Sequence, residues 1–198
     1  VAFLLGLDYK TIDKPRGRLL LRASRDAGCK TALVEDRMNP ENISDEEKQQ
    51  ILKDLKEITT SPYHYVDHWI GECYRRWGGD EKKNQAVEWY EKAAHKGNTE
   101  AMYRLGVGYH NGDLGLTQSF TKANELWALA ANKGNAKARY DLGNIYGYGK
   151  GKGDFETDFN RCVEMLYHSA EQGLVCAQFQ LGAIYQLGSQ DGPPMTIP

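Results

Sequence analysis

His64 and His68 are the residues whose spacing comes nearest to metal chemistry. They lie four residues apart with Asp67 between them, and two histidines at that spacing share one face of a helix and can ligate zinc. A third ligand is not evident and the HExxH pattern is absent. We therefore assign the pair to helix packing or to the surface, and we predict no metal site.

The four cysteines also lack a chemical signature. No two of them form a CxxC pair, so neither a zinc ribbon nor a thioredoxin-like redox centre is indicated. Buried free thiols are the expected state, and they suit a reducing intracellular compartment, in the cytoplasm or inside an organelle. The cysteines are Cys29, Cys73, Cys162 and Cys176.

The remaining candidates for catalysis or cofactor binding are equally weak. The segment GKGKGD at 149–154 has the composition of a phosphate-binding loop but not the GxxxxGK[ST] spacing. No Ser-His-Asp or Cys-His grouping has a local signature. We predict no cofactor and no catalytic residue. A hydrolase that uses Glu72 or Cys73 is the third and least favoured alternative.

Composition excludes two further classes of partner. The 198 residues carry a net charge of −2, so no electrostatic attraction to nucleic acid or to anionic lipid is expected. No apolar run approaches the roughly 20 residues of a membrane span, and direct membrane insertion is not predicted. The first residue is Val rather than Met, so either the sequence is a fragment or a leader was removed, and we favour a fragment of a longer protein.

The elements that must position these side chains are visible as an internal repeat. A pattern of Ala, then Leu-Gly four residues later, then Tyr recurs at spacings of 37 and 39 residues. Repetition at this period is typical of a helical solenoid, in which each unit buries its apolar face against its neighbours. The three copies are Ala101, Leu105, Gly106 and Tyr109; Ala138, Leu142, Gly143 and Tyr146; and Ala177, Leu181, Gly182 and Tyr185.

A second helix in each unit has its own stripe. The stripe places small residues beside large ones, as in Ala86, Trp89, Tyr90 and Ala93. Each second helix is expected to end at a glycine, because glycine adopts the left-handed conformation of a helix C-cap without strain. These glycines are Gly97, Gly134 and Gly173.

The combined pattern resembles a known family. It reads A-x-x-x-L-G-x-x-Y-x-x-G, then a loop, then K-A-x-x-W-x-x-x-A-A-x-x-G-x-x-x-A, and residues 101–138 match it nearly throughout. This pattern is similar to the Sel-one-like repeat, a relative of the tetratricopeptide repeat. The resemblance implies an all-α fold, a right-handed α-solenoid of antiparallel helix pairs (an alpha-alpha superhelix). It also implies a scaffold for protein complexes with no chemistry of its own.

The repeat register predicts one domain over residues 1–187, followed by an extended tail over 188–198. Its units are residues 1–32, 33–65, 66–100, 101–137 and 138–176, with a half unit at 177–187. We interpret 33–65 as a degenerate repeat with a helix from Ser44 to about Ile58, and a charged insertion outside the stack is the alternative. No second helix follows the half unit, so Leu181 and Tyr185 require cover from Met195–Pro198, from further chain or from a bound protein.

The first helices also predict a binding surface. Opposite the core stripe lie the residues two, three, six and ten positions after each Ala position. The column two residues after Ala is aromatic or His throughout, and we assign it in part to packing between repeats. Trp, Tyr and Arg are the types that anchor interfaces. The predicted groove residues are His68, Trp69, Glu72, Arg76, Tyr103, Arg104, Asn111, Tyr140, Asp141, Asn144, Tyr148 and Gln180.

These observations predict a non-enzymatic scaffold or adaptor that binds a protein or peptide in this groove. The alternative is a structural subunit of a large assembly, docked through the ends of its stack, because solenoids need polar caps for solubility and neither end of the sequence supplies an obvious one.

Overall fold

The computed structural model describes residues 44–58, 64–149 and 157–191, and in these ranges the chain is α-helical with no β-strand. The all-α prediction is confirmed. Among the described helices, none combines the length and the apolar composition that a membrane crossing needs. A short 3₁₀ turn, Asp80–Lys82, precedes the third helix. The helices are α1 (Asp45–Ile58), α2 (His64–Trp77), α3 (Lys83–His95), α4 (Thr99–Asn111), α5 (Phe120–Asn132), α6 (Ala136–Tyr148), α7 (Phe159–Glu171) and α8 (Val175–Asp191).

The helices form two compact units that divide between Asn98 and Thr99. In unit 1, α2 packs against α1 and α3. In unit 2, each helix from α4 to α8 packs against the next one along the chain. The single repeat domain over residues 1–187 stays a prediction, as do its unit boundaries.

The helix predicted from Ser44 to Ile58 is present as α1, and the Ser44 carbonyl accepts its first backbone hydrogen bond, from Lys48 N at 3.0 Å. The predicted unit 1–32 and the first helix of the degenerate unit lie outside the described residues. Whether 33–65 is a repeat or an insertion therefore stays open.

The helix ends follow the predicted chemistry. The side chains of Ser119, Asn135 and Asp158 accept hydrogen bonds from the first turns of α5, α6 and α7, which satisfies backbone donors that have no partner inside the helix. The expected glycines follow α3, α5 and α7 with left-handed φ values of +91°, +93° and +85°. These are Gly97, Gly134 and Gly173, and their prediction as helix C-caps is confirmed.

A glycine preceded by Leu or Ile on each first helix brings the two helices of a pair together. A Cβ on Gly71 would lie 2.7 Å from Tyr90 Cδ1, and one on Gly143 would lie 3.2 Å from Leu166 Cγ. In α4 a Cβ on Gly106 would lie 2.5 Å from Trp127 Cδ1. The distances at Gly71 on α2 and Gly106 on α4 are shorter than real Cβ atoms show. Only glycine therefore allows the second helix to pack this closely against α2 and α4.

The last helix differs from its prediction. It runs from Val175 to Asp191, whereas the sequence predicted an end at Leu187 and an extended tail from residue 188. That boundary is wrong, because Gly188 weakens a helix without ending it, and a strict stop comes only with Pro193 and Pro194. Residues 192–198 lie outside the described residues.

The close approach at Gly106 predicts a destabilised variant. Gly106→Ala should lower the free energy of unfolding by about 1–3 kcal/mol, because the new methyl group meets the Trp127 ring. The matched control is Gly182→Ala, where a Cβ meets no atom of the described chain within 4 Å. The control should be neutral or up to about 1 kcal/mol more stable, since alanine is the better helix former. Urea unfolding followed by circular dichroism measures both, and equal stability of the two variants would contradict this packing.

Candidate functional site

In unit 1 the predicted surface residue Glu72 is buried instead. It is 2% exposed, and its Oε2 atom accepts from Arg75 Nη2 at 2.8 Å and from Arg76 Nε at 3.3 Å. Its Oε1 atom accepts from the Tyr90 hydroxyl at 2.7 Å. The expectation that Glu72 faces a partner is therefore corrected, because the neighbouring helix α3 covers it and uses its carboxylate to join the two helices.

His68 is buried as well. It is 8% exposed, and its ring packs with centroids 5.7 Å from Tyr90 and 5.8 Å from Trp69. The adjacent Asp67 forms an ion pair with Lys96, at 2.6 Å between Oδ2 and Nζ. No group of three potential metal ligands occurs in the part of the chain that the structure describes. Hence His68 packs inside unit 1, while Trp69 and Arg76 keep partial exposure.

In unit 2 the structure brings predicted residues together. The Tyr103 ring stacks on Trp127, with centroids 6.4 Å apart, and its hydroxyl lies close to the Asp141 carboxylate on α6. Burial, and then the negative charge of Asp141, raise the pKa of Tyr103. Burial likewise raises the pKa of Asp141, although the Tyr103 hydrogen bond and the charge of His110 act in the opposite direction. This contact connects two consecutive first helices, α4 and α6.

A second polar contact continues the series from α6 to α8. The Gln180 amide donates to Asn144 Oδ1 at 2.8 Å and to the Tyr148 hydroxyl at 3.4 Å. Tyr148 remains 58% exposed. The amides can donate and accept further hydrogen bonds, and the Tyr148 ring offers an apolar surface beside them.

A third polar contact joins the first turns of α4 and α6. Within α4, Arg104 Nε lies 3.5 Å from Glu100 Oε1. The same oxygen accepts from Lys137 Nζ of α6 at 2.9 Å. Glu100 and Lys137 were not predicted as site residues. Each of them directly precedes the Ala position of its repeat. On the helical wheel this position lies at about 260° from Ala, on the side predicted to form the binding surface. Including the position before Ala among the predicted surface positions would therefore have identified both residues.

The residues of these contacts on α4, α6 and α8 define a surface, which we call the polar face of unit 2. It is formed by Tyr103, Arg104, Asp141, Asn144, Tyr148 and Gln180.

Two other predicted residues lie at its margins. Asn111 is exposed at the end of α4, with its Oδ1 atom 3.0 Å from His110 Nδ1. Tyr140 packs instead against the core cluster around Leu166 and Leu181. Tyr140 thus serves packing between helices, which is the role that the sequence assigned in part to the aromatic column.

The cysteines follow the sequence prediction only in part. Cys73 and Cys162 are buried and unbridged, as predicted, and burial raises the pKa of the Cys162 thiol. Cys176 is also free but exposed, so its predicted burial is wrong. Cys29 lies outside the described residues.

These helices define a class of protein that is built from tandem antiparallel helix pairs. In each pair a glycine of the first helix packs against a large residue of the second helix. The Sel1 repeat sequence profile matches residues 69–98, 99–135, 136–174 and 177–194. The chain belongs to the Sel1 repeat family, as its sequence pattern predicted.

Solved structures agree on the fold. The chain is similar to a Sel1 repeat protein from Oxalobacter formigenes, with a TM-score of 0.67 and 22% identity over 98% of this chain and 72% of that one. It is also similar to a protective antigen of uropathogenic Escherichia coli strains that displays an SLR fold, with a TM-score of 0.49 and 26% identity over 69% and 36% of the two chains. The family match and the Oxalobacter structure confirm the α-solenoid class. A comparison with curated proteins found no match.

The buried carboxylate of unit 1 yields a stability prediction. Glu72→Ala should lower the free energy of unfolding by about 3–5 kcal/mol, because it leaves the partly buried guanidinium groups of Arg75 and Arg76 without their acceptor. Glu88→Ala, at an exposed position of α3, is the matched control and should stay within about 0.5 kcal/mol of the wild type. Denaturant unfolding compares the two, and equal effects would show that Glu72 is not part of a buried network.

The Tyr103–Asp141 contact predicts a titration. In the folded chain the pKa of Asp141 should lie above its ordinary value of 3.8, and Tyr103→Phe should raise it further because the hydrogen bond favours the ionised carboxylate. Since the folded state then holds the proton more tightly than the unfolded state, ionisation of Asp141 reduces stability as the pH rises past 3.8 and through the folded pKa. Carbon NMR of the Asp141 carboxyl measures the shift. Tyr109→Phe on the same helix is the control, and a response equal to that of Tyr103→Phe would refute the contact.

Proposed function

We propose that this chain is a non-catalytic scaffold that binds a protein or peptide partner on the polar face of unit 2. Sel1 repeat proteins are generally protein–protein interaction scaffolds, and this supports the class of function. The observation that carries the location is the Gln180 amide, which bridges Asn144 and Tyr148 while the Tyr148 ring stays 58% exposed. Hydrogen-bonding groups and an exposed aromatic ring thus lie side by side.

The chemistry of this face favours an extended peptide segment. Side-chain amides present both donors and acceptors, which match the N–H and C=O groups of a peptide backbone. An exposed tyrosine ring is a common anchor at interfaces, because it buries much apolar area with little loss of conformational freedom. Arg104 and Asp141 carry opposite charges on neighbouring helices, so the face selects for a mixed rather than a strongly charged partner.

The environments of Glu72 and Cys73 support a role without catalysis. A general base needs a free lone pair within reach of the substrate, whereas Glu72 already accepts hydrogen bonds from two arginines and a tyrosine. Cys73 is 1% exposed, so a substrate does not reach its thiol. The two residues named for a hydrolase both lie inside unit 1. The free thiols favour a reducing compartment as the site of action.

A second candidate function is that of a subunit docked through the end of its helix stack. The exposed face of α8 favours it, since Phe179 is 79% exposed there.

Site-specific photo-crosslinking tests the proposed partner site. A photoreactive phenylalanine at Tyr148 and another at Asn111 should crosslink the same protein in the source cell. The control, at the exposed Glu125 of α5, should not. Tyr148→Ala should then weaken binding of the purified partner at least about tenfold, a loss of roughly 1.4 kcal/mol, with unchanged helical content. Crosslinks from Glu125 to the same protein, or full binding by Tyr148→Ala, would contradict the site.

A further inference from the structure

One buried side chain of unit 2, Asn124 on α5, is an amide without a partner. It is 0% exposed, and neither its amide nitrogen nor its amide oxygen has a hydrogen-bond partner in the part of the chain that the structure describes. A side-chain amide can donate two hydrogen bonds and accept two. Folding removes these bonds to water without replacing them, so this side chain destabilises the packed state.

The equivalent positions of the other second helices are apolar. Asn124 directly follows Ala123, and the same position is occupied by Val87 in α3 and by Val163 in α7. Both valines are buried, each with 8% exposure. Packing of a second helix into the stack therefore does not need an amide here. The amide sets one interface of unit 2 apart from the next.

The side of α5 that carries Asn124 faces α6. Ala131 lies seven residues further along α5, so it shares this side with Asn124. The Ala131 carbonyl accepts a hydrogen bond from Arg139 Nε of α6 at 3.2 Å. The buried amide thus lies at the interface between the pair α4–α5 and the helices that follow it.

The same interface one repeat later is apolar. Ala170 lies seven residues after Val163 on α7, and its carbonyl accepts from Gln178 Nε2 of α8 at 3.1 Å. Val163 belongs to one buried cluster with Leu181 of α8. Burial of this valine stabilises the α7–α8 interface, whereas burial of Asn124 weakens the α5–α6 interface.

Polar contacts near the surface also join the two sides of the α5–α6 interface. Glu100 of α4 accepts from Lys137 Nζ at 2.9 Å and from Asn135 Nδ2 at 3.3 Å, and the Tyr103 hydroxyl lies close to the Asp141 carboxylate. The Lys137 side chain is 45% exposed. Ion pairs in reach of water contribute little to stability, so they do not offset the unpaired amide.

The stability of a helical solenoid is approximately the sum of a contribution from each repeat and one from each interface between neighbours. A weak interface allows one side to unfold while the other stays folded. We infer that unit 2 opens at the α5–α6 interface, so that the pair α4–α5 and the helices α6–α8 unfold separately, and that Asn124 determines this place. The opening is a property of unit 2 itself and needs no partner.

The opening has a consequence for the polar face of unit 2, and this consequence rests on the proposed function. Tyr103 and Arg104 lie on α4, whereas Asp141 and Asn144 lie on α6. The two parts of the face are therefore held together only while the interface is closed. A partner that contacts both parts binds the closed form and stabilises it.

Hydrogen exchange of the full chain in increasing urea, measured by mass spectrometry, tests the opening. In the wild type we expect the amides of α4 and α5 to share one opening constant and those of α6 and α7 to share another. Asn124→Val should lower the larger of the two constants at least about tenfold, because it removes the unpaired amide. The two groups of amides should then exchange together.

Two control variants locate the effect. Asn132→Val makes the same replacement at an exposed position of α5, and it should leave both opening constants unchanged. Val163→Asn places an amide at the α7–α8 interface, and it should raise the opening constant of α8 relative to that of α6. Circular dichroism should show equal helical content in all three variants.

Three outcomes would overturn the inference. One is a single opening constant for α4–α7 in the wild type, because unit 2 would then unfold as one body. Another is unchanged exchange in Asn124→Val, which would mean that a bound water satisfies the amide. The third is an equal response to Asn132→Val. No partner is present in these measurements, so they are independent of the crosslinking result at Tyr148.

Discussion

The close approach of two helices at a glycine is the constraint on which the rest of the structure depends. Gly71 and Gly106 leave no room for a Cβ beside Tyr90 and Trp127, and a Cβ on Gly143 would press against Leu166 at 3.2 Å. In each of these helix pairs a large ring or a branched side chain therefore lies against bare backbone. Dispersion contacts are strongest at such distances and vanish when a gap opens. This contact fixes the rotation of each first helix about its own axis, and thereby determines which residues point to the core and which do not.

The polar face follows from that rotation. Once the glycine of a first helix faces the second helix of its own pair, the positions three, six and ten residues after Ala point away from that helix. Asp141, Asn144 and Gln180 occupy these positions on consecutive first helices, and polar side chains link those helices: Tyr103 with Asp141, and Gln180 with Asn144. The contacts hold the amides and the Tyr148 ring in fixed places, so less conformational entropy is lost when a partner binds.

Much of this fold could be predicted from the sequence, because the core stripe repeats and helix ends have their own chemistry. The helices α4, α6 and α8 begin two residues before Ala101, Ala138 and Ala177, and the C-cap glycines are in place. The helical wheel also indicates the direction of Glu72 and His68, but direction does not determine burial. Their exposure depends on how far Tyr90 and Arg75 reach across from their own positions, and a one-helix projection contains no such information. The end of α8 differs from its prediction because local propensity was given too much weight. Gly188 has a low helix propensity, but the rest of the helix overrides it.

Comparison between units shows where recognition can vary without cost to the fold. The glycine is the same in each of these repeats, and the Ala and Leu positions stay apolar, with Val66 and Ile70 in the repeat that contains Trp69. The position three after Ala changes from Trp69 to Arg104, Asp141 and Gln180, so its chemistry is not prescribed by the packing of the pair. Four different side chains at equivalent places give a surface of mixed polarity, which one repeated residue could not form. In the proposed function, specificity for a partner is assigned to these variable positions, and the glycines fix the helix packing that holds them in place.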